Sequence, residues 1–95
     1  MELLTKAILN KLPKLYSQEN VADPIAQVKF FTPDSSWTWY ATEFDGVDRF
    51  FGKVIGHETE LGYFSLAELK SIKGRWGLKI ERDMHWSPKP LSQCS

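Results

Sequence analysis

The feature that most constrains this chain is a change of period. Up to Leu12 the apolar side chains recur at helical spacing, and from Val28 they fall at every second position. In AQVKFFT, Val28 and Phe30 share one side, with Lys29 and Phe31 on the other. In SWTWYATEF, Trp37, Trp39 and Ala41 share a side opposite Thr38, Tyr40, Thr42 and Phe44. Alternation in β-branched and aromatic residues suits a strand, whose successive side chains leave on opposite faces. TPDSS between the runs and FDGVD after them carry turn residues. RFFGKVIGHE reads as a third strand, in which Gly52 and Gly56 mark a bulge or the close approach of another backbone. Three strands so tightly joined predict an antiparallel meander.

Helices frame it. Leu3, Leu4, Ala7, Ile8 and Leu12 form one stripe over residues 3–12, with Thr5 a candidate cap. Pro13 stops that helix, because it lacks an N–H and disfavours helical geometry at Leu12. SQENVADP is a polar loop. In SLAELKSIKG, Ser65 and Glu68 make a capping box, Leu66, Leu69 and Ile72 give a stripe, and Gly74 closes the helix. After a turn at Trp76-Gly77, LKIERDMHW alternates again and reads as a last strand. Pro88 and Pro90 then carry an extended tail over about 87–95. The expected fold is α+β: an N-terminal helix, a three- to four-stranded antiparallel meander, a short second helix, and a C-terminal strand or extended tail. Ninety-five residues allow one domain, 1–95, with both helices on one face of the sheet.

Eight of the 13 aromatic residues lie between Phe30 and Phe51, on both faces of these strands. A helix layer covers one face, so the expectation is that most rings build the core while some of Phe31, Trp37, Trp39, Tyr40 and Phe44 stay partly exposed. Exposed Trp and Tyr are typical anchors of protein contacts. Base stacking is less suited to this segment, which is acidic and would repel phosphate. Residues 34–60 carry six acids (Asp34, Glu43, Asp45, Asp48, Glu58, Glu60) against Arg49 and Lys53. Residues 70–89 reverse the balance, with six bases (Lys70, Lys73, Arg75, Lys79, Arg82, Lys89) against Glu81 and Asp83. Twelve bases and 12 acids cancel over the whole chain, so any attraction to nucleic acid is local.

Catalytic signatures are sparse. His57 lies among Asp45, Asp48, Glu58 and Glu60, yet HETE matches no metal-binding spacing, and a strand would turn His57 and Glu58 to opposite faces. Asp45 and Asp48 fit a hairpin turn. His85 reads as an exposed strand residue. Neither a GxSxG nucleophile nor a phosphate-cradling glycine loop occurs. The expectation is therefore a non-enzymatic chain with no cofactor and no metal. One cysteine, Cys94, placed in a mobile tail, excludes a disulfide framework and suits a reducing cytoplasm. No apolar run approaches the roughly 20 residues that span a bilayer, and MELLTKAILNKL does not read as a secretory signal.

The blocks LLTKAILNKLPKLYSQE, VKFFTPDSSWTWYATEFDG, FFGKVIGHETELGYFSLAELKSIKG and ERDMHWSPKPL resemble a family of bacterial proteins of about a hundred residues and unknown function. The resemblance covers nearly the whole chain. It implies carriage on plasmids, integrative conjugative elements and phage-related islands, near anti-restriction and DNA-processing genes. It implies no catalytic residues.

Two functions follow as expectations. The first is a protein-binding accessory of a mobile element, an inhibitor of a restriction or CRISPR effector. Glu43, Asp45, Asp48, Glu58 and Glu60 would meet the effector's cations, and Trp37, Trp39 and Tyr40 would anchor the contact. The alternative is a nucleic-acid-binding accessory using Lys70, Lys73, Arg75, Trp76 and Lys79. A metal-dependent hydrolase built on His57 is a third, weaker reading. Self-association as a homodimer is compatible with each, through an uncovered aromatic face or an open sheet edge.

Overall fold

The computed structural model describes residues 1–95 as an α+β fold built on a mostly antiparallel sheet with two short helices. The helices are α1 (Lys6–Lys11) and α2 (Leu66–Ser71). The strands are β1 (Ile25–Ala26), β2 (Val28–Phe31), β3 (Thr38–Phe44), β4 (Arg49–Ile55), β5 (Thr59–Ser65), β6 (Glu81–Arg82) and β7 (Lys89–Pro90). Five of them make one sheet in the order β5-β4-β3-β2-β6, and β1 pairs with β7 in a second, two-stranded ribbon. All of these pairings are antiparallel. No helix is long and apolar enough to cross a membrane.

Both helices carry the expected N-terminal caps, and α2 ends at Ser71, before the Gly74 that was expected to close it. Thr5 Oγ1 accepts from the Ile8 N–H and Ser65 Oγ from the Glu68 N–H, each satisfying an N–H with no partner inside its helix. Thr5 is extended, so α1 starts at Lys6, and Leu3 and Leu4 precede it instead of forming its first turn. Pro13 ends it as expected. The helices lie on one face with Leu3, Leu69, Leu4, Ile8, Leu66 and Ile72, over a floor of Val28, Phe30, Trp39, Ala41, Phe44, Phe50 and Phe64. Phe50 is the hub, with ring centroids 4.4 Å from Phe44, 5.1 Å from Phe64 and 5.5 Å from Phe30.

A bulge decides which face Phe44 reaches. Ala41 pairs with Gly52 but Glu43 pairs with Phe51, so Thr42 is an extra residue in β3. Strict alternation put Phe44 beside Tyr40; the bulge carries Phe44 to the helix side and turns Glu43 to the opposite side. Gly52 is required opposite the bulge, since a Cβ there would overlap the Tyr40 carbonyl. A Cβ at Gly56 would overlap the Trp37 ring. Gly52 thus marks the bulge and close backbone approach expected of it, whereas Gly56 lies just past β4 and is approached by a side chain instead.

Three further expectations are corrected. TELGYFS, to which the sequence reading assigned no element, forms β5, paired along its length with β4. The last strand shrinks to β6, because Asp83 turns the chain: its Oδ1 accepts from the His85 N–H and its carbonyl from the Trp86 N–H. Most importantly, the middle of the second face of the sheet is covered. The segment from Trp86 to Cys94 lies across it, burying Tyr40, Ala26, Leu91 and Cys94 together, with Trp86 and Ile55 packed alongside. Cys94 is therefore a core residue and the tail is docked.

Candidate interaction surfaces

The acidic, aromatic segment is largely internal. Trp39 and Tyr40 keep 6% and 2% of their surface, so the expected exposure of these two rings is not found. Trp39 packs under the helices, with Trp37 stacked beside it at 5.9 Å. Tyr40 packs under the tail and donates from its hydroxyl to the Ser95 carbonyl at 3.1 Å. Burial raises its pKa, since the phenolate would lose hydration. Glu43, 3% exposed, accepts from the Tyr16 and Gln18 N–H groups at 2.8 Å each, and so fastens the loop after α1 to the second face. Trp37 is half-buried against Gly56 and His57.

Asp45 and Asp48 organise turns. Asp45 Oδ1 accepts from the N–H groups of Asp48, Val47 and Arg49, and these bonds hold its carboxyl below the usual range. Asp48 accepts from the Ser65 hydroxyl at 2.6 Å and the Ala67 N–H at 2.8 Å, which lowers its pKa in the same way and ties the β3–β4 turn to the start of α2. Only Glu58 and Glu60 of the five acids are exposed without a hydrogen-bonding task, on either side of Thr59 beside Trp37. The His57 ring meets Trp37 edge-on at 5.6 Å, and no three His, Cys, Asp or Glu side chains gather closely enough to hold a metal ion.

The basic segment is placed differently. Lys70, Lys73, Arg75, Trp76 and Lys79 are all exposed. Residues 73–79 fold into a tight loop in which Lys73 bridges Lys79, the Gly74 N–H donates to Leu78 and the Gly77 N–H to Gly74. Gly77 has φ +79°, a left-handed geometry that favours glycine at this turn. The loop is pinned to the β2–β3 turn by Asp34, whose Oδ2 accepts from the Trp76 N–H at 2.7 Å. The Asp34 carboxyl seats against Gly74, where any Cβ would overlap it. Trp76 keeps 75% of its surface, and the Arg75 guanidinium lies 5.6 Å from the centre of its ring. Four exposed cations and one open indole fall within ten residues, with no acid between Lys70 and Lys79 in sequence and the Asp34 carboxyl seated against Gly74.

A third surface was not singled out from the sequence. Strand β5 ends the large sheet, and only β4 pairs with it. Its Leu61 and Tyr63 keep 64% and 51% of their surface. They form one wall of a groove on the second face, about 540 Å³ in volume, whose other sides are the loop through Tyr16 and Val21 and the Leu91–Ser92 segment. Tyr63 packs on Phe51 at 5.0 Å and on Tyr16 at 6.3 Å, and partial desolvation raises its pKa. The available signal was the alternation of Thr59, Leu61 and Tyr63 against Glu60, Gly62 and Phe64.

The sequence model of a family described as protein of unknown function (DUF2958) matches residues 3–94. The chain belongs to that family. The match takes in both helices, both sheets and Cys94, so the docked tail lies within the family's domain. No curated protein and no solved structure matches the chain.

Proposed function

We propose that this chain is a non-enzymatic accessory protein that binds single-stranded nucleic acid through the end of α2 and the loop that follows it, residues 70–79. The observation that carries the reading is the joint exposure of Lys70 at the end of α2 and of Lys73, Arg75, Trp76 and Lys79 on the loop that Asp34 fixes. Cations supply the attraction to phosphate, and an open indole offers a face on which any base can stack. An exposed tryptophan in a 95-residue chain is otherwise a cost, because it leaves a large apolar surface in water. Carriage on mobile elements beside DNA-processing genes, implied by the sequence resemblance, fits a cytoplasmic nucleic-acid ligand.

The decisive measurement is fluorescence anisotropy with a labelled oligothymidylate of roughly 15 nucleotides, long enough for one small site. With four phosphate contacts, log K should fall with log salt at a slope of about −3. Trp76→Ala should weaken binding by about 1–3 kcal/mol, and a Lys73→Gln, Arg75→Gln pair should reduce the slope by about 1.4. Absence of binding at low salt, or binding indifferent to these changes, overturns the reading.

A second reading rests on Glu58 and Glu60, which stay exposed beside Trp37 around a shallow hollow that also includes His57 and Val54. It keeps the role of an inhibitor of a host defence effector, with a smaller acidic contact than Trp37, Trp39, Tyr40, Glu43, Asp45, Asp48, Glu58 and Glu60 would have made together. A nuclease-resistant protein retained by the wild type and lost on Glu58→Gln, Glu60→Gln would favour it over the nucleic-acid reading.

A further inference from the structure

The phase of hydrogen bonding along β5 follows from its two flanking bonds. Gly56 N–H donates to Glu58 at one end, and Leu66 N–H donates to Asp48 at the other. In an antiparallel ladder bonded residues alternate, so Glu60, Gly62 and Phe64 bond to β4 while Thr59, Leu61 and Tyr63 turn their N–H and C=O groups to the open edge. The residues with free backbone groups are thus the same ones whose side chains, Leu61 and Tyr63, stand exposed on the groove side. Natural sheet edges are normally blunted by lysine, proline, a bulge or an inward charge. In β5 the only charge is Glu60, no proline occurs, and the pairing with β4 runs from Thr59 to Ser65 without a register shift.

We propose that this edge is completed by the β5 of a second copy, antiparallel, with the two-fold axis passing at Gly62. Full overlap of Thr59–Ser65 with itself fixes that axis, because Gly62 is the midpoint. The resulting register is self-complementary. Leu61 of each copy faces Tyr63 of the other in a bonded pair, so the free N–H and C=O groups of both are satisfied. Leu61 and Tyr63 from the two copies also join their grooves into one apolar strip. Glu60 faces Phe64 rather than its own counterpart, which avoids a like-charge pair. Gly62 faces Gly62 in a non-bonded pair, where backbones approach most closely, and open space surrounds the position a Cβ would take there. A second copy is favoured over a foreign peptide because every one of these pairings is met by the strand's own sequence.

One strand from each copy buries little surface, so the dimer belongs to the weak class, with dissociation at roughly 10–1,000 µM. Sedimentation equilibrium of the full chain over that range should show a reversible monomer–dimer equilibrium. Leu61→Pro removes an edge N–H that bonds nothing in the monomer, and should weaken the dimer at least tenfold with an unchanged circular dichroism spectrum. The Gly62→Cys variant should form a disulfide between its two copies under mild oxidation, since the non-bonded spacing of about 4.5 Å lies within disulfide range; the native Cys94 is buried and does not compete. This cross-link tests the edge even if the proline variant fails to fold. A wild type that stays monomeric to about 1 mM, a dimer indifferent to Leu61→Pro, or a Gly62→Cys variant that fails to cross-link would each overturn the proposal. So would a monomer whose Leu61 and Tyr63 amides respond only to a foreign peptide.

Discussion

The two faces of the central sheet are closed by different means. Under the helices the contacts are apolar: Phe50 touches three other phenylalanines, and Leu3, Leu69 and Ile80 seal the layer. Under the tail the apolar cluster is small, and side chains reach for backbone instead. Lys53 Nζ donates to the Leu91 and Cys94 carbonyls at 3.2 and 2.8 Å, Trp86 Nε1 to Ala26 at 3.0 Å, and Tyr40 to Ser95. Asp23 accepts from Ser92, Glu43 from Tyr16 and Gln18. Burial of apolar area gives strong, non-directional cohesion at about 25 cal/mol per Å². A hydrogen bond gives about 1 kcal/mol net and fixes position. The first face therefore supplies most of the stability and the second supplies the placement of irregular chain.

The contrast can be broken most forcefully at its hub. Phe50→Ala should cost about 3–5 kcal/mol, because the cavity is walled by aromatic rings that cannot collapse into it; urea unfolding followed by tryptophan fluorescence would measure it. On the other face, Glu43→Ala should cost less, about 1–3 kcal/mol, from two N–H groups left without their acceptor. Its signature is local: hydrogen exchange should quicken at Tyr16 and Gln18 while the amides of β3 and β4 stay protected. A uniform loss of protection would mean that the two faces unfold as one.

Acid should sharpen the comparison with a smaller effect. The Ser92 hydroxyl and N–H hold the Asp23 carboxyl below its ordinary value of 3.8, as the turn and cap bonds do for Asp45 and Asp48. A depressed carboxyl adds stability that is complete above the ordinary value and is lost as pH falls through the folded one. Thermal unfolding should accordingly be flat from pH 7 to about 5 and decline below it. Asp23→Asn should remove part of that decline. It should also speed labelling of Cys94, whose thiol burial pushes up from its ordinary value, at neutral pH where the sheet is intact. Labelling as slow as in the wild type would show that the tail holds without Asp23.

The sequence made the first face readable and left the second obscure. Capping residues Thr5 and Ser65, the alternation of β2 and β3, and the glycines at 52 and 56 all act over short spans, where pattern and geometry coincide. The cover of the second face is a polar, proline-containing segment with no period, and its partners lie far away in sequence: Tyr40 and Ser95 are 55 positions apart. Nothing local in SPKPLSQCS announces that Leu91 and Cys94 will be buried. The Thr42 bulge was equally hidden, because one inserted residue leaves the composition of a strand unchanged while reversing the faces that follow. For the interaction surfaces, the basic loop was legible because charge is exposed by default. The ring of Tyr40 was misplaced because its cover, the tail, could not be foreseen, and that of Trp39 because alternation alone does not say which face the helices take.

The late position of that cover has a consequence for synthesis. The β3–β4 and β4–β5 hairpins close over short loops, whereas Trp86 must find Ala26 across 60 positions. On the ribosome the meander can assemble while the segment that lids its second face is still in the exit tunnel. Until those residues emerge, Ala26, Tyr40 and Ile55 line an open, oily stretch of sheet. That nascent intermediate, rather than the finished domain, is the form that a chaperone or a protease would meet first.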